Sequence, residues 1–131
     1  LRVLDSSALV KYLLGEDGWE QVEQAMREGA ATVDLALVEA ANALARRVRA
    51  SKVDPATAAK ALEGLAEGKG LKVIGFRDLL KDALEISSRE DLTMQDALFV
   101  AAALRLGAEL VTADSRQAEV AARLGVPVRV L

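Results

Sequence analysis

The stretch from Thr93 to Asp114 reads TMQDALFVAAALRLGAELVTAD, and its pattern decides the fold class. From Ala97 to Leu104 every residue is apolar, so a helix there has no polar face and is expected to be buried all round as a central packing element. A short β-prone run, Glu109 to Thr112, comes next, and an acid, Asp114, closes it. Similar short apolar runs stand at Arg2 to Leu4, Ala31 to Val33, Lys72 to Ile74 and Pro127 to Val130, with helical patterns between them. Such alternation predicts an α/β fold, a parallel sheet covered on both faces.

Local signals mark the helix ends. Asp54-Pro55 places an acceptor at the N-cap and proline at the first helical position, opening a helix to about Leu65, and Glu67 to Gly70 then breaks the chain. Asp34 is a candidate N-cap for Leu35 to Ala50. Phe76 to Ser88 and Ser115 to Leu124 are amphipathic, while Ser6 to Leu14 and Gly18 to Glu28 read as two helices joined at Glu16-Asp17-Gly18. With 131 residues, 52% of them hydrophobic, and no repeat or linker, the chain is expected to form one domain over residues 1–131.

Composition narrows the chemistry. The sequence has neither cysteine nor histidine, which excludes disulfides, zinc-thiolate sites, Ser-His-Asp triads and two-histidine zinc sites. Catalysis would have to come from carboxylates, hydroxyls, lysine, arginine or a bound metal that acidifies water. A net charge of −3 argues against binding nucleic acid through bulk charge, so a polyanionic substrate would need help from a cation. There is no run of 18 apolar residues and no secretory h-region, so a cytoplasmic protein without membrane contact is expected.

Four carboxylates at chain turns hold most of the functional information: Asp5, Glu39, Asp96 and Asp114. Each has a purely structural alternative. Thr93 to Asp96 fits a capping box; Asp114 fits an N-cap with Gln117 closing the box; Asp5 fits a cap shared with Ser6 or Ser7; Glu39 fits a polar stripe with Asn42 and Arg46. Jointly they read differently. Ligands of open parallel sheets bind beyond the carboxyl ends of the strands. Asp5 and Asp114 follow strands at that end, and Asp96 opens the buried helix leading into the second of them, so all three share a rim if the first and fourth strands are neighbours. Converging carboxylates favour a divalent cation, and an all-oxygen set suits Mg²⁺ or Mn²⁺. The reaction that follows is attack of a metal-activated water on a phosphodiester.

Four blocks in order, Val3 to Val10, Ala36 to Leu44, Gln95 to Leu104 and Leu110 to Asp114, resemble the PIN domain, and within it the VapC-type toxins. The resemblance covers essentially the whole chain. It implies a three-layer α/β/α fold with parallel strands in the order 3-2-1-4-5, and Mg²⁺- or Mn²⁺-dependent endoribonuclease activity. It also implies a homodimer restrained by a cognate antitoxin protein. Asp5, Glu39, Asp96 and Asp114 match the acidic quartet, and Ser7 and Thr112 the hydroxyls that orient carboxylates, water or phosphate. Ser6 and Asn42 are weaker supporting candidates. Many members carry tyrosine before the third acid, where this chain has Gln95.

Arg46, Arg47, Arg49 and Lys52 form the densest basic run. It suits the end of a helix dipole, and Arg46 and Arg49, with Lys11 nearer the acids, also suit phosphates of a bound RNA. Only Tyr12, Trp19, Phe76 and Phe99 are aromatic, so an aromatic platform for bases is not expected. Three other readings compete. A noncatalytic PIN-like scaffold for RNA or protein has no need of four acids. A receiver-type signalling domain would want an aspartate after the third strand, where Val73-Ile74-Gly75-Phe76 stands. An aspartyl-nucleophile phosphohydrolase would want an acid two residues after Asp5, and that residue is Ser7.

Overall fold

Short runs of Val, Leu, Ile and Ala suit strands with both faces covered, and in the computed structural model, which covers Leu1 to Leu131, the three central runs are so covered while the edge runs at 71–74 and 128–130 are partly exposed. The strands are β1 (Arg2–Leu4), β2 (Ala30–Val33), β3 (Leu71–Ile74), β4 (Glu109–Thr112) and β5 (Val128–Val130). All pairs are parallel, in the order β3-β2-β1-β4-β5. The adjacency of β1 and β4, on which the shared rim depends, is present: Val3 stands opposite Leu110 and Leu4 opposite Val111.

Helices α1 (Ser6–Leu14), α2 (Trp19–Arg27), α3 (Leu35–Arg49) and α4 (Pro55–Ala66) form one outer layer. Helices α5 (Leu80–Glu90), α6 (Met94–Leu106) and α7 (Ser115–Arg123) form the other, giving three layers. α6 lies across β1, β2 and β4, between its two neighbours. As expected it is buried from Ala97 to Ala103, but Leu104 is 44% exposed, because it faces a surface pocket that it lines with residues of α5 and with Leu124. Its run of alanines lets the backbone approach the strands closely, and Phe99 supplies the bulk. No helix is long and apolar enough to cross a membrane.

Three local expectations are corrected. Phe76 to Leu79 forms a 3-10 turn, and α5 begins only at Leu80. Asp34 gives α3 no side-chain cap; its backbone is already helical, and its Oδ1 instead accepts from the Phe76 amide at 3.1 Å, tying the end of β2 to the end of β3. Gln117 does not close a capping box on Asp114: the Asp114 amide donates to Thr112 Oγ1 instead, and the Gln117 side chain turns inward. The Asp54-Pro55 start is as read, with the Asp54 carboxylate accepting from the Thr57 amide.

Candidate active site

Because all five strands run the same way, every strand end that carries an acid opens on one rim. Asp5 follows β1, Asp114 follows β4 after one residue, Asp96 sits in the first turn of α6, and Glu39 in the second turn of α3 after β2. The structure therefore brings the four predicted acids to one end of the sheet.

Asp5 is the innermost, only 4% exposed. Its Oδ1 accepts from the Ala8 amide at 2.9 Å and from Ser7 Oγ at 2.7 Å, and Oδ2 lies 2.5 Å from Thr112 Oγ1. Two carboxylate oxygens offer about four acceptor positions. Asp5 keeps one, on Oδ2. Burial pushes its proton affinity up; the bonds from Thr112, Ser7 and Ala8 pull it down, and the nearby Asp114 charge raises it again.

Ser7 and Thr112 both place their hydroxyls on the Asp5 carboxylate. Ser7 Oγ also accepts from the Ala113 amide at 2.9 Å, so it joins the β1 end to the β4 end. Thr112, wholly buried, accepts from the Asp114 amide at 2.9 Å. Its hydroxyl has one proton to give, and two oxygens within reach, Asp5 Oδ2 and Gln117 Oε1. Ser6 Oγ donates to Glu39 Oε1 at 2.5 Å and so aims the acid on α3.

Asp114 caps α7, with Oδ1 accepting from the Arg116 and Gln117 amides at 2.9 and 3.2 Å. Asp96 is held less firmly. Thr93 Oγ1 caps its backbone amide at 3.2 Å, as the capping pattern anticipates. Its carboxyl is half-buried, and burial, then the charges of Asp114 and Asp5, raise its pKa from 3.8 to about 6; Thr93 opposes the rise and Glu39 adds to it. None of the four acids forms an ion pair. Their mutual repulsion is thus uncompensated within the chain, and the donor set, all carboxylate and hydroxyl oxygen, fits a hard divalent cation. As placed, no three acidic side chains stand at common ligating spacing.

Beside the rim lies an open cleft of about 410 Å³. Ser6, Ser7, Glu39 and Asn42 line it, together with Lys11 and Arg46. Those two cations have no acidic partner. The basic run is split by the helix: Arg46 faces the cleft, Arg47 pairs with Glu16 at 3.2 Å, and Arg49 is exposed and outside the cleft lining. The residue missed from sequence is Gln117, whose buried amide reaches Asp96 and Thr112. An i, i+3 spacing from Asp114 invited the capping reading, and nothing local signals an inward amide.

A larger groove, about 800 Å³, lies on the other side of α1. It runs between α1, α2 and α4, with Tyr12, Leu13, Trp19, Met26, Ala61 and Leu65 on its walls. Its walls are mostly apolar, with Glu23, Lys60 and Lys69 among them, and none of the four rim acids lines it.

Comparison with known proteins accords with this arrangement. The sequence model of the PIN domain matches residues 2–123. Ribonuclease VapC3 of Pyrobaculum aerophilum is 36% identical over 120 residues, spanning 89% of this chain and 92% of that one. The crystal structure of PAE2754 from the same organism superposes with a TM-score of 0.72 at 29% identity, covering 91% of this chain and 84% of the other. VapBC2 from Rickettsia felis, bound to a DNA fragment from its promoter, has the same fold at a TM-score of 0.71 and 16% identity, over 99% and 98% of the two chains. The four blocks, the strand order and a sequence match over nearly the full length agree, and the chain belongs to the PIN domain family.

Proposed function

We propose that the chain is an endoribonuclease, the toxin of a VapBC-type pair, which hydrolyses RNA phosphodiester bonds with Mg²⁺ or Mn²⁺ at the acidic rim. One observation carries this reading: four carboxylates converge without an ion pair to any of them, and Lys11 and Arg46 stand unpaired in the cleft that Glu39 also lines. The likeness to Ribonuclease VapC3 supports the choice of RNA.

Asp5, Asp96 and Asp114 would hold a divalent cation, with Glu39 at the cleft side; when bound, it would supply an activated water and neutralise charge that builds on the phosphate. Ser7 and Thr112 keep Asp5 turned toward the rim, and Ser6 does the same for Glu39. Lys11 and Arg46 hold phosphates flanking the scissile bond, and Asn42 offers the cleft a neutral hydrogen-bonding group. Arg49 contributes to RNA only if a long substrate follows α3 outward. With no histidine in the chain, attack by the RNA 2′-hydroxyl has no imidazole base to drive it.

Attack by water with departure of the 3′-oxygen leaves a 5′-phosphate and a 3′-hydroxyl; attack by the 2′-hydroxyl expels the 5′-oxygen and leaves a 2′,3′-cyclic phosphate and a 5′-hydroxyl. The expected products of incubating a structured RNA with the protein and Mn²⁺ are 5′-phosphorylated fragments that vanish with EDTA. Cyclic ends would overturn attack by water, and cleavage in EDTA would overturn the need for a metal. The noncatalytic scaffold keeps one observation in its favour, the absence of three acids at ligating spacing, and the same assay without any cleavage would favour it.

A protein antitoxin is the partner this reading requires, and the solved neighbours include a toxin–antitoxin complex from Klebsiella pneumoniae. The larger groove is lined by Leu14 and Gly15 and the cleft by the next residue, Glu16, and an amphipathic antitoxin segment is the occupant proposed for the groove. A homodimer is proposed through Val38 (67% exposed), Phe76, Leu80 and Leu84 (61% exposed), large apolar side chains that a monomer leaves in water. Sedimentation of the intact chain should give twice the monomer mass, and Leu84→Glu should give the monomer; a monomeric wild type would dismiss the dimer.

A further inference from the structure

Gln117 is wholly buried in the first turn of α7, and the account of the rim so far leaves it without a task. A side-chain amide is unfavourable to bury unless both ends find partners. Here Nε2 finds one outright and Oε1 reaches Thr112 Oγ1, whose single proton it shares with Asp5, and both partners belong to the rim. Nε2 donates to the backbone carbonyl of Asp96 at 3.0 Å, and Oε1 lies 3.0 Å from Thr112 Oγ1, the hydroxyl that holds Asp5. The Gln117 amide N–H donates to Asp114 Oδ1 at 3.2 Å. One residue therefore touches the segments carrying Asp96 and Asp114, and reaches Asp5 through Thr112.

Geometry fixes its orientation. The Asp96 carbonyl only accepts, so Nε2 must face α6 and Oε1 must face β4. Glutamate there would turn an acceptor against an acceptor and add negative charge; an apolar residue would leave the spacing of α6 and α7 at the rim to packing alone. Asp96, whose own side chain is loosely held, depends most on that spacing.

We propose that Gln117 is a positioning residue that sets the distance of Asp96 from Asp5 and Asp114, and thereby the affinity of the rim for a divalent cation. This rests on the metal-site reading above. Groups that orient metal ligands from behind contribute about 10–100-fold to affinity.

The test is calorimetric titration of Mn²⁺ into the metal-free intact chain, for wild type, Gln117→Met and Val126→Ala. Gln117→Met keeps the volume without the amide; the Asp96 carbonyl retains its helix partner and Thr112 retains Asp5, so circular dichroism should be unchanged. Gln117→Leu serves as a second variant with the same expectation should the methionine protein not fold. Val126, buried just beyond α7 and away from the rim, reports general loosening. The expected result is a Mn²⁺ dissociation constant raised about 10–100-fold by the Gln117 variants and unchanged by Val126→Ala. On saturating RNA at limiting Mn²⁺, kcat should fall with KM for RNA unchanged. Wild-type affinity in the Gln117 variants would overturn the inference and leave the metal site standing. An equal loss in Val126→Ala would overturn it in favour of simple loosening. No Mn²⁺ binding by wild type would overturn the metal reading itself, and this inference with it.

Discussion

Asp96→Asn is expected to lower Mn²⁺-dependent RNA cleavage at least about 100-fold while making the metal-free protein more stable at neutral pH. The loss follows from removing a charged ligand whose loose hold lets it close on a cation. The gain follows from linkage. Asp96 has a folded pKa of about 6 against an ordinary 3.8, so between those values the folded chain binds more protons than the unfolded one. Stability from this group is complete below the lower value and is lost as pH rises through the upper one. Asparagine carries no charge at any pH and escapes the loss. Allowing for solvent screening of a half-buried group, the variant should gain about 1–2 kcal/mol at about pH 7.5 and nothing at about pH 3.5. Urea denaturation in EDTA at the two pH values checks the sign. A variant less stable than wild type at the higher pH would mean that Asp96 is a structural cap and not a strained functional acid.

Phe99→Ala carries the largest expected loss of stability. Phe99 is 1% exposed, in the middle of α6, and belongs to the one large apolar cluster that joins both helical layers to the sheet. The residues one turn further along the same face of the helix, Ala102 and Ala103, are too small to fill the space it leaves. Deletion of a buried phenylalanine that cannot be backfilled costs about 3–5 kcal/mol. Against a total of about 5–15 kcal/mol for a domain, that lowers the melting temperature by roughly 10–15 °C. Leu104→Ala, at the 44% exposed end of the same helix, should cost under about 1 kcal/mol. Equal losses at the two positions would contradict a fold centred on α6.

What sequence reading recovered, and what it missed, divides by range. Strand runs, the proline-started α4, the Thr93 cap and the apolar α6 all rest on neighbours within a turn, and each is found where expected. The placing of four acids at strand ends was legible for the same reason, and the adjacency of β1 and β4 made them converge. Side-chain partners chosen across the fold were not legible. Thr112 meets Asp5 across 107 positions, and Gln117 reaches back 21 to Asp96; neither distance leaves a trace in local composition. Asp34 shows the opposite failure, a residue with a good local signal that a longer-range amide, Phe76, captured instead. The basic run read as one patch because adjacent charges look alike in sequence, whereas helical rotation sends Arg46 to the cleft and Arg47 to Glu16.

The measurement that bears most directly on the acidic rim as a metal site is thermal unfolding of wild type and Asp96→Asn with and without about 10 mM Mn²⁺. For a dissociation constant near ~1 mM, linkage gives about 1.4 kcal/mol of stabilisation, roughly 5 °C in a domain of this size. The predicted result is that rise in wild type and none in Asp96→Asn. No rise in wild type, or the same rise in both proteins, would contradict a cation held by Asp96 together with Asp5 and Asp114.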